Sequence, residues 1–162
     1  MQIVIMRHGE AESGFASGGG DAQRQLTETG HRQTVLAGER LQESGFAPEE
    51  IWVSPYLRTQ QTATNVLQAY GSSDFLTQPF LVPDAHTAEV VDAMSTFSDK
   101  ALLLVSHMPL VANLVSVLSG EDVYTVPAMA PASMVALQCE EPLAGCCDIL
   151  WQRHSPDFVV TY

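Results

Sequence analysis

Stretches in which nearly every residue is apolar alternate along this chain with stretches in which apolar residues recur every three or four positions. The continuous runs are Ile3-Val4-Ile5-Met6, Ile51-Trp52-Val53 and Leu102-Leu103-Leu104-Val105, and a strand without a polar face belongs in the middle of a sheet covered on both sides. The spaced positions are Val35 and Leu41, Val66 and Leu67, Val90, Val91, Met94 and Phe97, then Leu114, Val115 and Leu118. They mark amphipathic helices whose apolar stripes face a core. Together the two patterns predict strands at 2–6, 51–54, 75–79 and 102–106, and helices near 29–44, 56–70, 87–97 and 110–118. Strand and helix in alternation imply right-handed βαβ units and a mostly parallel sheet. Residues 133–138 and 148–153, separated by a loop holding Pro142 and Gly145, read as an edge hairpin that makes the sheet mixed. The expected fold is therefore α/β, a three-layer sandwich with a mostly parallel central sheet of about five or six strands flanked by helices, forming one domain over residues 1–162.

In such a sheet the residues that follow the strands gather at one edge, where open α/β folds bind their ligands. Arg7-His8-Gly9-Glu10 follows the first strand, Ser54-Pro55-Tyr56-Leu57-Arg58 follows the second, and Ser106-His107 ends the apolar run that begins at Leu102. Pro55 suits a helix start and puts Arg58 in its first turns. Thr27, in Leu26-Thr27-Glu28-Thr29-Gly30, is placed to cap the first helix. A phosphoryl group in transfer spreads negative charge over its equatorial oxygens, so a catalyst needs fixed positive groups around them and a nucleophile in line with the leaving atom. Arg7 and Arg58 offer planar, permanently charged forks, and His8 offers a ring nitrogen whose protonation two neighbouring guanidinium charges oppose. With only seven Lys and Arg in the chain, two of them at strand ends next to histidine is a pattern that chance serves poorly.

These residues, in this order, resemble the histidine phosphatase superfamily, formerly grouped as phosphoglycerate-mutase-like, and the match runs over nearly the whole chain. The short length and the fit from Met1 to Glu10 are most similar to the small bacterial phosphohistidine phosphatases of the SixA group. The resemblance implies a protein phosphohistidine phosphatase working through a covalent phospho-His8 intermediate without metal or other cofactor, with Arg7, Arg58 and His107 holding the phosphoryl oxygens. Gly9 and Thr27 are further candidates for substrate binding. His107 either gives a hydrogen bond or charge to a phosphoryl oxygen or orients the nucleophile, and the family pattern favours the first. The implied partner is a phosphohistidine-bearing protein, either a histidine-phosphotransfer domain of a sensor kinase or a phosphocarrier protein.

The sequence departs from the wider superfamily at the acid that protonates a leaving oxygen. The matching segment is Phe80-Leu81-Val82-Pro83-Asp84-Ala85-His86, where Asp84 is the positional candidate and equally a cap for the following helix; His86 lies near it. A phosphohistidine leaving group is an imidazole that can take its proton on the distal nitrogen, so a strong acid is dispensable for it and not for an alkoxide. Two other functions use the same residues: a phosphatase of small phosphate esters, dependent on Asp84, and a non-catalytic phosphohistidine-binding module. A metal hydrolase built on His8, Glu10 and His107 is the weakest alternative.

Composition narrows the partners further. A formal charge of −12, from 19 acidic against 7 basic side chains, disfavours nucleic acid and anionic membrane. The partner is then expected to present neutral or basic surface around its phosphohistidine. Residues 14–25, with Gly18-Gly19-Gly20, read as a loop rimming the site and lack the ending of a nucleotide-cradling loop. Cys139, Cys146 and Cys147 show neither zinc-site nor redox-motif spacing. With no leader expected before the first strand, the protein reads as cytoplasmic and carrying reduced thiols; a monomer is expected, since no stretch of the sequence marks an interface.

Overall fold

The computed structural model describes residues 1–14, 19–97, 100–126 and 128–154. The first strand β1 (Gln2–Arg7) is followed by α1 (Glu28–Glu43), β2 (Glu50–Val53), α2 (Leu57–Gln68), β3 (Leu76–Thr77), α3 (Thr87–Ser95), β4 (Ala101–Ser106), α4 (Leu110–Ser119), β5 (Met134–Cys139) and β6 (Cys147–Arg153), with 3-10 turns at Asp21–Gln23 and Pro79–Leu81. The strands form one six-stranded sheet in the order β3-β2-β4-β1-β5-β6. β3, β2, β4 and β1 run parallel, and β5 and β6 are antiparallel additions at the other edge.

Because successive strand residues point to opposite faces, each central strand serves two cores. Ile3, Ile5, Leu102 and Leu104 pack under α3 and α4 with Met94, Leu114 and Leu118. Val4, Met6, Leu103 and Val105 pack under α1 and α2 with Leu41, Val66 and Leu67. That division produces the three layers. The two helices of the second core approach closely, since a Cβ on Gly38 of α1 would meet the Val66 carbonyl oxygen of α2 at 2.5 Å.

The elements depart from the expected bounds where local chemistry intervenes. The third strand holds only Leu76 and Thr77, because Pro79, at the start of a 3-10 turn, has no N–H to continue the ladder. α3 is capped at His86, so Asp84 does not cap it, and the helix stops at Ser95, short of Phe97. Val35 is half-buried at the edge of an apolar surface depression with His31, Arg32 and Leu36, while the core face of α1 is Thr34, Ala37, Gly38 and Leu41. Trp52 is buried in the first core and Trp151 packs half-buried against the second. The three cysteines are free thiols. Of the glycine-bearing rim loop, residues 15–18 lie outside the described residues. No helix among the described residues is long and apolar enough to cross a membrane.

Candidate active site

The parallel register of β1 and β4 pairs Arg7 with Ser106, which sets His8 and His107 at equivalent positions just past two neighbouring strand ends. The ladder continues one step beyond the strands, the His8 N–H donating to the Ser106 carbonyl at 3.0 Å. The imidazole rings consequently meet edge to face with centroids 5.3 Å apart. On the other side of β4, β2 delivers Ser54, whose N–H donates to the Val105 carbonyl at 3.1 Å, and the first turn of α2 delivers Arg58. Arg7, His8, Arg58 and His107 thus converge on one cavity of about 250 Å³, lined also by Glu10, Ala11, Arg24, Met108 and Pro131.

His8 is 7% exposed and its protonation state is fixed from both nitrogens. The Gly9 carbonyl can only accept, so Nδ1 carries the hydrogen and donates to it at 2.6 Å. Arg58 Nε can only donate, and it does so to His8 Nε2 at 3.2 Å, so Nε2 carries the lone pair. Burial is the largest cause holding the His8 pKa down, to about 3, with Arg58, Arg7 and Arg24 adding to it against the opposing Gly9 hydrogen bond. The neutral imidazole expected from the sequence is therefore present, with the guanidinium charges as the lesser cause.

His107 is likewise neutral, its pKa lowered to about 2 by burial first and then by His8 and Arg58. In that form it can offer the cavity a hydrogen bond but no charge. Its Nε2 lies 2.7 Å from Ser54 Oγ, and that oxygen receives the Tyr56 N–H at 3.4 Å. The arrangement that uses every hydrogen has the Ser54 hydroxyl donating to His107 Nε2, which leaves a hydrogen on Nδ1. Among the described residues, His107 Nδ1 and Arg7 Nε are the two buried side-chain nitrogens or oxygens without a hydrogen-bond partner. A buried polar group left unpaired costs about 1–3 kcal/mol, and here both belong to residues lining one cavity.

The arginines are held from behind. Arg7 donates through a terminal nitrogen to the Met129 carbonyl at 2.8 Å. Arg58 donates through its two terminal nitrogens to the Asp21 carbonyl at 2.7 Å and to Asp21 Oδ2 at 3.2 Å. The other carboxylate oxygen of Asp21 accepts from Arg24 Nε at 2.7 Å. Asp21 thus joins the expected arginine to a third that the sequence analysis missed. Neither Asp21 nor Arg24 lies in a periodic stretch, and the Gly18-Gly19-Gly20 run beside them gave only the signal of a loop. Thr62 completes the support, accepting from the Gly9 N–H at 3.1 Å and donating to the Arg58 carbonyl at 2.7 Å.

The remaining candidates stand apart from the cavity lining. Gly9 is buried beneath it, where a Cβ would meet Thr34 Cγ2 at 2.6 Å and the Gly30 carbonyl oxygen at 2.7 Å, so only glycine fits. Thr27 caps α1, accepting from the Gly30 N–H at 3.0 Å, and its hydroxyl donates to Glu10 Oε1 at 2.9 Å. Asp84 and His86 are exposed ahead of α3 and do not line the cavity. His31 accepts from Asn65 and belongs to the α1–α2 contact. Among the described residues no three His, Cys, Asp or Glu side chains converge as metal ligands.

Residues 3–81 match the model of the histidine phosphatase superfamily, branch 1. The chain belongs to the histidine phosphatase superfamily. Within it the chain is similar to SixA proteins. It is 36% identical over 132 residues to the phosphohistidine phosphatase SixA homolog of Haemophilus influenzae, covering 75% of this chain and 79% of that one. It is 34% identical over 143 residues to phosphohistidine phosphatase SixA of Escherichia coli, covering 83% and 86%. The structure of protein histidine phosphatase SixA complexed with tungstate superposes with a TM-score of 0.87 at 28% identity, over 97% of this chain and 99% of that one.

Proposed function

We propose that this protein is a phosphohistidine phosphatase that moves the phosphoryl group from a protein histidine to His8 and then to water, with no metal in either step. The observation that carries this is the pairing of a buried neutral imidazole, its Nε2 lone pair facing Arg58, with two unpartnered buried nitrogens on Arg7 and His107, residues that line the same cavity. A phosphoryl group supplies oxygens for those donors. It also supplies the acceptor that draws Arg58 Nε off the nucleophile, while Asp21 keeps the guanidinium in place through its two terminal nitrogens. Nε2 then attacks phosphorus in line as the bond to the substrate nitrogen breaks, and the donors around the equatorial oxygens stabilise the charge spread over them.

In the second step water attacks the phosphorus of phospho-His8 and the bond to Nε2 breaks. The hydrogen on Nδ1, held by the Gly9 carbonyl throughout, lets His8 depart as a neutral imidazole. The names of the similar SixA proteins support a phosphohistidine substrate. A histidine-phosphotransfer domain or a phosphocarrier protein, acted on in the cytoplasm by a monomer, is the setting we propose. Asp84 has no part in either step.

The test is phosphate release from a phosphohistidine-bearing protein, with wild type and His8→Ala compared in the presence of chelator. Rapid release by wild type that falls to background in the variant is expected. Release that survives His8→Ala, or that chelator abolishes, would overturn the mechanism.

A further inference from the structure

We propose that Glu10 receives the substrate's imidazole: its carboxylate accepts the hydrogen on the ring nitrogen that does not carry phosphorus, and this selects phosphohistidine over phosphate esters. Glu10 is thereby added to the phosphohistidine reading above and depends on it.

Transfer from phosphohistidine to His8 passes phosphorus between two imidazoles, and both rings have the same need. A ring leaves phosphorus as neutral imidazole only when its other nitrogen carries a hydrogen, and an acceptor on that hydrogen favours the form that can leave. His8 has its acceptor in the Gly9 carbonyl, 2.6 Å from Nδ1. The cavity wall offers one counterpart for the incoming ring. Glu10 is the only carboxylate among the described residues that line it, the rest being three guanidiniums, the two neutral imidazoles, Ala11, Met108 and Pro131.

Position agrees with the chemistry. In-line displacement puts the leaving nitrogen on the side of phosphorus away from His8. His8 is buried and Glu10, two residues on, is exposed in the wall of the same cavity, so a ring that leaves towards solvent can meet its carboxylate. It is also restrained before substrate arrives. The Glu10 N–H donates to Gln33 Oε1 at 2.9 Å, its carbonyl accepts the Thr27 N–H at 2.9 Å, and its Oε1 accepts the Thr27 hydroxyl at 2.9 Å. A side chain already tied at one oxygen loses little further freedom when the other takes a ligand. Gly30 secures the same segment, since a Cβ there would collide with the Glu10 carbonyl oxygen.

The step balances as follows. The His8 Nε2 lone pair forms the new bond to phosphorus, the pair of the old P–N bond stays on the departing nitrogen, and the hydrogen remains on the ring's distal nitrogen in contact with Glu10. An alkoxide leaving group has no second nitrogen, so the carboxylate gives it nothing and repels any further anionic group it carries.

Glu10→Gln keeps an oxygen for Thr27 and removes the charge. Phosphate release from a phosphohistidine protein is measured for wild type and variant from about pH 6 to about pH 8.5, on either side of the free imidazole value of about 6.5, together with inhibition by inorganic phosphate. The variant is expected to lose about ten-fold or more at the alkaline end, with the loss closing towards pH 6 as solvent protonates the ring unaided, and with phosphate inhibition as strong as in wild type or stronger. Equal turnover across the range, a loss that does not vary with pH, or weakened phosphate inhibition overturns the role of Glu10 and leaves the phosphohistidine reading standing. A wild type inert towards phosphohistidine overturns that reading itself.

Discussion

The surroundings of His8 allow only one of its protonation states, the one the proposed nucleophilic role requires. An acceptor-only carbonyl on Nδ1 and a donor-only guanidinium on Nε2 select a single tautomer, and burial excludes the charged form. The same logic separates the two carboxylates near the motifs. Glu10 lines the cavity, tied to Thr27, whereas Asp84 is exposed in the turn before α3. General acid catalysis contributes typically 10²–10⁴-fold, so a group that performs it cannot be removed quietly. Asp84→Asn is expected to hold phosphohistidine turnover within about two-fold, as measured by phosphate release, since a general acid would show the larger loss. A drop of a hundred-fold would return Asp84 to the mechanism.

The elements of this fold were legible in the sequence to the degree that each had one dominant signal. Ile3 to Met6 and Leu102 to Val105 are apolar without interruption, and such strands occupy the sheet centre on both faces, as β1 and β4 do. Their parallel register then sets His8 beside His107 without further information, which is why the strand-then-histidine repeat leads to two residues of one cavity. Arg58 was legible through its place in the first turn of α2. Arg24 and Asp21 were not, because a short 3-10 turn and its flank carry no period, and Asp21 meets Arg58 from thirty-seven residues away. Val35 misled for the opposite reason. Its spacing from Leu41 fits a helical stripe, yet the buried face of α1 runs through Thr34, Ala37, Gly38 and Leu41, with Gly38 against the Val66 backbone of α2, which leaves Val35 at the margin. Asp84 before a helix had the composition of a cap, but the N-cap position of α3 falls two residues later, at His86.

On the scale of the molecule, a protein of formal charge −12 gathers three of its seven basic side chains at one cavity. Two histidines are buried among them in neutral form, and that couples the site to global stability. His8 and His107 titrate near about 3 and about 2 in the folded protein, against about 6.5 for an unperturbed histidine. Below pH 6.5 the unfolded chain binds protons that the native fold refuses, so the free energy of unfolding falls as pH drops towards 3. Each histidine contributes a slope of up to about 1.4 kcal/mol per pH unit in that window. Urea melts between neutral and mildly acidic pH are expected to show stability declining on acidification, with a shallower decline in His107→Gln. A slope indifferent to that substitution would contradict the neutral assignment of His107.

The most direct measurement is to mix the enzyme with a protein carrying radiolabelled phosphohistidine, quench within milliseconds in alkaline detergent that preserves phosphohistidine, and follow the label. The mechanism predicts label on the peptide containing His8, appearing before free phosphate and decaying as phosphate accumulates, and none on His8→Ala. Free phosphate released by the wild type without label ever residing on that peptide would contradict a covalent phospho-His8 intermediate.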